Sequence, residues 1–143
     1  ERGLDLAARK ALIRERTATI GGPVQDLLKT LDAVEDLYFG ALAQVRMPSW
    51  CRGRVALVGD AGYCPSPFTG QGTSLALVGA FVLGRELERS GHDHAAAFSR
   101  YETRMRPFVL LNQDLLFCDR QAPDADNLFN SAKMAISVAD LLC

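Results

Sequence analysis

Apolar residues recur along this chain mostly with a helical period. Between Asp5 and Thr17, Leu4, Ala8 and Leu12 share one face and Gly21-Gly22 follow as a stop, which predicts an amphipathic helix. Pro23 suits a first helical position, and Val24, Leu27, Leu28 and Leu31 keep the spacing of a buried stripe, predicting a second, short helix. Tyr38 to Met47 mixes aromatic and β-branched residues with polar ones up to Pro48 and reads as a strand. Arg54-Val55-Ala56-Leu57-Val58, ending at Gly59-Asp60, has the short apolar run of a fully buried strand; within a larger parent it is expected at the centre of a parallel sheet, and without its neighbours its edges would be unpaired. Ala61 to Gly72 holds Gly62, Pro65, Pro67, Gly70 and Gly72, too many breakers for regular structure. From Thr73, the residues Leu75, Leu77, Val78, Phe81, Val82 and Leu87 are apolar almost all round, predicting a buried helix that stops at Ser90-Gly91. Asp93 can cap a long helix bearing Phe98, Tyr101, Met105, Phe108 and Leu115, with a kink at Pro107. Asn127 is expected to cap a last helix from Leu128 to about Leu142. The fold class this predicts is α+β, mostly helical with about two strands.

Composition narrows the function classes. The chain has 143 residues, 48% of them hydrophobic and 23% charged, enough to bury a core without staples. Sixteen Lys plus Arg against seventeen Asp plus Glu give a net charge of -1, with no basic block of the kind that binds nucleic acid. No apolar run approaches the ~20 residues of a membrane span. Cys51, Cys64, Cys118 and Cys143 form no C-x-x-C pair, so free thiols and a cytoplasmic setting are expected. The chain starts at Glu1 rather than Met, which suggests processing or trimming upstream.

Chemistry concentrates in Gly53 to Ala61 and in Pro65-Ser66-Pro67-Phe68-Thr69-Gly70-Gln71-Gly72-Thr73. Gly59 lets the chain turn sharply off its strand, and Asp60 then presents a carboxylate at the strand's carboxyl end, where open sheets hold ligands. A carboxylate there can accept hydrogen bonds from the hydroxyls of a polyol. Gly70 and Gly72 lack side chains, so the amides opening the next helix can approach a flat ligand and face its negative charge.

This stretch resembles the second flavin-binding motif of the FAD-dependent monooxygenases related to para-hydroxybenzoate hydroxylase, the class A flavoprotein aromatic hydroxylases. The resemblance implies that Asp60, with Gly59 before it, contacts the ribityl chain of FAD. It implies that Pro67 stands ahead of the ring-side loop, and that Gly70, Gln71, Gly72 and Thr73 open the helix beside the isoalloxazine ring. Met47-Pro48-Ser49-Trp50 with Gly53-Arg54, and Tyr101-Glu102 with Met105-Arg106-Pro107, also look like that family's C-terminal part, extending the likeness over roughly residues 35 to 110. The family's opening G-x-G-x-x-G unit does not occur in these residues. The chain is therefore expected to be a single partial domain of 143 residues, the C-terminal fragment of an FAD/NAD(P)-binding α/β fold. Residues 1–50 would be a remnant of the substrate-domain region, and 51–143 the C-terminal part of the FAD-binding domain with trailing helices. The resemblance implies that the parent uses FAD, NAD(P)H and dioxygen to oxygenate an aromatic or other unsaturated small molecule. No catalytic side chain and no metal are demanded of this segment. Its partners would be that substrate and the missing N-terminal part, with self-association of the isolated segment, which alone would be inactive.

Other readings stand beside this one. The parent could instead be a reductase or halogenase of the same flavoprotein superfamily, or the chain a helical interaction module that binds no flavin. His92-Asp93-His94 offers two metal-type ligands but no third by spacing, and reads as a helix cap. Cys64 is either a thiol near flavin or a small packed residue, and Trp50, Tyr38 and Phe39 are either substrate contacts or core.

Overall fold

A computed structural model of the chain describes residues 3–119 and 121–137. Contacts divide the chain into two compact units, Glu1–Ala41 and Leu42–Cys143.

In the first unit, helix α1 (Leu6–Thr17) starts at Asp5, whose carboxylate accepts a hydrogen bond from the Ala8 amide at 2.8 Å. Such a cap satisfies one of the amide donors that a helix start leaves unpaired. Helix α2 (Pro23–Thr30) has proline in its first turn and runs into a single 3₁₀ turn, Leu31–Ala33. Arg14 pairs with Asp32 at 2.7 Å, and Lys10 donates to the Asp32 carbonyl at 2.9 Å, joining α1 to that turn. Leu31 alone among this unit's described residues is buried.

The second unit carries the core. The expected strand over Tyr38 to Met47 is absent: these residues have no regular structure. The physical reason is the lack of a partner strand, since the Val45 amide donates to the Cys64 carbonyl at 3.0 Å and side-chain amides take the place of a ladder. The apolar run at Arg54–Val58 also shortens. It forms β2 (Val55–Ala56), paired antiparallel with β1 (Cys51–Arg52) in a two-stranded hairpin, with Cys51 opposite Ala56 and Arg52 opposite Val55. Gly53, at φ 59°, opens the two-residue turn between them, where a positive φ favours glycine. A buried central strand needs neighbours on both sides, and among the described residues there is only β1, so Val55 is exposed.

The breaker-rich stretch contains more order than its composition predicts: one helical turn, α3 (Asp60–Tyr63), and a 3₁₀ turn over Pro67–Thr69. Helix α4 (Gly72–Ser90) follows and stops at Gly91, φ 57°. It is amphipathic rather than apolar throughout: Leu75, Gly79, Val82 and Glu86 are buried, whereas Leu77 and Phe81 face outward. Helix α5 (His94–Asp114) is capped by Asp93, which accepts from the Ala96 amide at 3.0 Å, and it continues through Pro107 on its exposed side. The last described helix, α6 (Ala125–Lys133), has its N-cap at Asp124, three residues ahead of the expected Asn127 cap; residues 138–142 of the expected helix lie outside the described residues.

α4 packs along α5, and α5 also meets β1. The core joins Trp50, Tyr63, Leu75, Val82, Tyr101, Met105, Phe108 and Val109. Trp50 and Tyr63 rings lie 4.5 Å apart, and such tilted aromatic pairs contribute about 0.5–1.5 kcal/mol beyond area burial. At the far end of the pair, buried Glu86 on α4 accepts from Arg100 at 2.8 Å and Arg104 at 2.7 Å on α5. Burial pushes the Glu86 carboxyl up, but the two guanidinium groups outweigh it and hold the group below its ordinary range. Glu86 thus remains charged, as a buried carboxylate must be to keep both partners.

Candidate functional site

The end of the hairpin is fixed before the chain turns. Tyr101 on α5 donates its hydroxyl to the Leu57 carbonyl at 2.9 Å and stands 3.0 Å from the Tyr63 hydroxyl. Burial first, and then the neighbouring Tyr63 hydroxyl, push the Tyr101 phenol far above its ordinary range, so it stays protonated and can donate. The next residue of α5, Glu102, accepts from the Ser49 hydroxyl at 3.0 Å and the Trp50 amide at 3.1 Å. Arg106 pairs with Glu102, donates to the Met47 and Pro48 carbonyls, and lies 4.5 Å over the Trp50 ring. Burial raises the Glu102 carboxyl, but these donors more than reverse it and leave the group lowered. The two flanking segments singled out in the sequence are therefore bonded to each other, and what they hold is the approach to Gly59.

Gly59 turns with φ 66° and ψ −140°, a conformation L side chains rarely adopt, and a Cβ on it would stand 3.0 Å from the Ala76 Cβ of α4. Its carbonyl accepts from the Gly62 and Tyr63 amides, which closes α3. The turn leaves Asp60 exposed, with one carboxylate oxygen 3.7 Å from where a Cβ on Gly72 would lie. The acid therefore sits at the opening of α4, where no side chain caps the helix and the peptide dipoles leave partial positive charge. Between them, Ser66 is buried at φ 79°, the one described non-glycine residue with positive φ. Its hydroxyl accepts from the Phe68 amide, and its carbonyl from the Thr69 amide and hydroxyl, so Pro67–Thr69 closes into its 3₁₀ turn. At the turn's end Gly70, φ 69°, borders open space.

These pieces enclose a groove of about 630 Å³. Of the sequence-predicted residues, Gly59, Asp60, Pro67, Gly70, Gly72 and Thr73 line it, and Cys64 does too. Gln71 does not: it is buried, its amide donates to the Thr69 hydroxyl, its carbonyl accepts from the Leu75 amide, and its side chain lines a separate cavity with Val78 and Phe108. Trp50 belongs to the core, and Tyr38 is fully open to solvent. Burial and the Glu102 charge push the Cys51 thiol up, so it stays protonated. Asp93 is a helix cap, His94 meets Phe98 edge-on, and no group of three or more metal-type ligands gathers among the described residues.

Comparisons with known proteins show the family. The sequence profile described as "FAD binding domain" matches residues 31–113, which include the turn, the loop and both flanks. The chain belongs to the FAD binding domain family. Proteins similar to it include a flavin-dependent monooxygenase of Legionella longbeachae serogroup 1 (strain NSW150), 45% identical over 109 residues, covering 76% of this chain and 28% of that protein. Monooxygenase CTB7 of Cercospora beticola is 42% identical over 116 residues, covering 80% of this chain and 27% of its own. Among solved structures, the tetracycline destructase Tet(55) superposes with a TM-score of 0.79 at 40% identity, covering 93% of this chain and 39% of that one. The chain thus spans between a quarter and two fifths of the length of these relatives.

The groove's chemistry fits FAD. An exposed carboxylate suits polyol hydroxyls, the open face at Gly70 admits a flat ring, and the uncapped start of α4 suits an electron-rich ring edge. Sequence reasoning missed Ser66, whose backbone no composition rule flags, and the polar ties from Tyr101, Glu102 and Arg106; the i, i+4 pairing of Glu102 with Arg106 was the available signal.

Proposed function

We propose that this chain forms one wall of the FAD site of a flavin-dependent monooxygenase. Bound FAD would supply the redox chemistry of that enzyme, with NAD(P)H as reductant and dioxygen as oxidant, for oxygenation of an aromatic or other unsaturated small molecule. Asp60 accepts hydrogen bonds from the ribityl hydroxyls, while Gly59 makes room for the turn that presents it. Pro67 and Gly70 shape the ring-side surface. The Gly72 and Thr73 amides face the electron-rich edge of the ring and stabilise negative charge there when the flavin is reduced. The groove walls exclude water from the ring face they cover. We also propose a cytosolic setting, supported by three described cysteines that are all free.

The observation that supports this reading most is the gathering of Gly59, Asp60, Pro67, Gly70, Gly72 and Thr73 around one groove, with the acid beside an uncapped helix start. The test is FAD titration of the apo-flavoprotein that carries this segment. Hydrogen bonds to a charged acceptor contribute about 1.5–3 kcal/mol, so Asp60→Ala is expected to weaken FAD by about tenfold or more, and Asp60→Asn by less because its amide oxygen still accepts. If Asp60 only shapes the turn, both variants melt earlier yet bind FAD as tightly as wild type, and that result removes Asp60 from the site.

A further inference from the structure

We propose that Gln113, far from the groove in sequence, is a positioning residue for the flavin-side loop, acting with Gln44 as a paired amide clamp. The inference rests on the flavin reading above. Gln113 lies near the end of α5 and is 2% exposed, deep enough that each of its polar atoms needs a partner. Its side-chain nitrogen reaches the Val45 carbonyl at 2.8 Å, the Cys64 carbonyl at 3.3 Å and the Tyr63 carbonyl at 3.4 Å. Gln44 completes the clamp from the other side. Its side-chain nitrogen donates to the Gln113 backbone carbonyl at 2.6 Å and to the Pro65 carbonyl at 3.0 Å, while its side-chain oxygen accepts from Arg46 at 2.9 Å. The reverse orientation of that amide would set oxygen against two carbonyls and nitrogen against a guanidinium, so the donor assignment is fixed by its neighbours.

The carbonyls of Tyr63, Cys64 and Pro65 are thereby held in order by two side chains, immediately before Ser66. That position matters because Ser66 is buried in a left-handed conformation, which persists only where surrounding contacts over-determine it. Pro67 follows Ser66 directly and Gly70 four residues on, and both line the groove. The clamp therefore fixes one end of the loop while α4 fixes the other. Removing the Gln113 amide takes the side-chain donor from the Val45 and Tyr63 carbonyls and leaves Cys64 only the Val45 amide, removing the Gln44 amide takes it from Pro65, and the loop relaxes where it meets the flavin.

Three measurements on the flavoprotein carrying this segment test the clamp: FAD affinity, the visible absorption and dichroism of bound FAD, and the thermal midpoint. Gln113→Leu and Gln44→Leu are each expected to weaken FAD about tenfold and to change the flavin spectrum, and the double variant to do little more than either alone. Arg104→Gln, which breaks the distant Glu86 pair, is the control: it lowers the midpoint while leaving affinity and spectrum of the folded protein as in wild type. Gln113→Leu that binds FAD like wild type with an unchanged spectrum overturns the proposal. Should wild type itself take up no FAD, the flavin reading fails, and hydrogen exchange at the Thr69 and Gly70 amides decides the clamp: exchange about tenfold faster in Gln113→Leu supports it, and equal rates overturn it.

Discussion

Gly79, in the middle of α4, is a site where two general effects of a glycine-to-alanine change oppose each other and the structure decides which prevails. In an open helix interior, alanine is favoured over glycine by about 0.8–1 kcal/mol. Here an alanine Cβ would stand 2.0 Å from the Tyr63 hydroxyl oxygen, 3.2 Å from the ring carbon that bears it and 3.5 Å from the Met105 methyl. Optimal contacts lie near ~3.5 Å, so the hydroxyl must retreat by more than about 1 Å. It has nowhere to go, because Tyr63 is fully buried, its ring packs 4.5 Å from Trp50 and its hydroxyl is bonded to Tyr101. Overpacking a core costs about 1–3 kcal/mol, and losing the Tyr63–Tyr101 hydrogen bond a further ~0.5–1.5 kcal/mol. Gly79→Ala should therefore destabilise by about 1–3 kcal/mol net, which lowers the thermal midpoint by roughly 4 °C per kcal/mol in a chain of this size. Tyr63→Phe removes the clashing oxygen and loses one hydrogen bond, leaving Tyr101 still bonded to the Leu57 carbonyl. On that background Gly79→Ala becomes neutral or stabilising, and the cycle of four proteins shows a coupling of about 2 kcal/mol by urea denaturation. A Gly79→Ala protein more stable than wild type, or strict additivity of the two changes, refutes this packing of α4 on the turn.

Two other predictions concern the helices and the turn. The folded-state pKa of Glu86 lies below its ordinary value of 4.5, so its contribution is complete above that pH and is lost as pH falls through the lowered value. Urea midpoints at pH 7 and pH 3 should fall further for wild type than for Glu86→Gln, which already lacks the charge at pH 7; parallel losses in the two proteins contradict the assignment. Gly59→Ala meets both a positive φ and an Ala76 Cβ at 3.0 Å, and a non-glycine residue in a sparsely populated region costs about 1–3 kcal/mol. Adding Ala76→Gly should restore only the steric part of the loss, and full recovery in a chemical melt would show that the backbone conformation is unstrained.

Helices are where the chain's own pattern sufficed. Asp5, Pro23, Gly91 and Asp93 mark helix ends through local hydrogen bonding and backbone preference, which depend on a few neighbouring residues, and all four do so in the structure. The candidate site was legible for a related reason. Gly59-Asp60 and the Pro67 to Thr73 loop are short motifs whose requirements are steric and local, so Gly59, Asp60, Pro67, Gly70, Gly72 and Thr73 could be picked out individually. Gln71 could not be separated from them, because only the direction in which α4 leaves the loop turns its side chain away from the groove and into the interior.

Strands were a different matter. A run such as Arg54–Val58 declares its apolarity, but pairing is a property of two segments, and β2 shortens to Val55–Ala56 because its described partner is only the adjacent β1. The same applies to residues 38–47, where composition suits a strand and no ladder forms. Tertiary contacts alone also set the left-handed backbone of Ser66, the meeting of Glu102 and Arg106 with residues 47–50, and the carbonyls shared by Gln44 and Gln113. Each of these joins groups from distant parts of the chain, and neither residue type nor local period specifies which buried carbonyl a side chain will find. Local chemistry determined which residues could line a groove, and long-range polar packing decided how the loop that builds it is held.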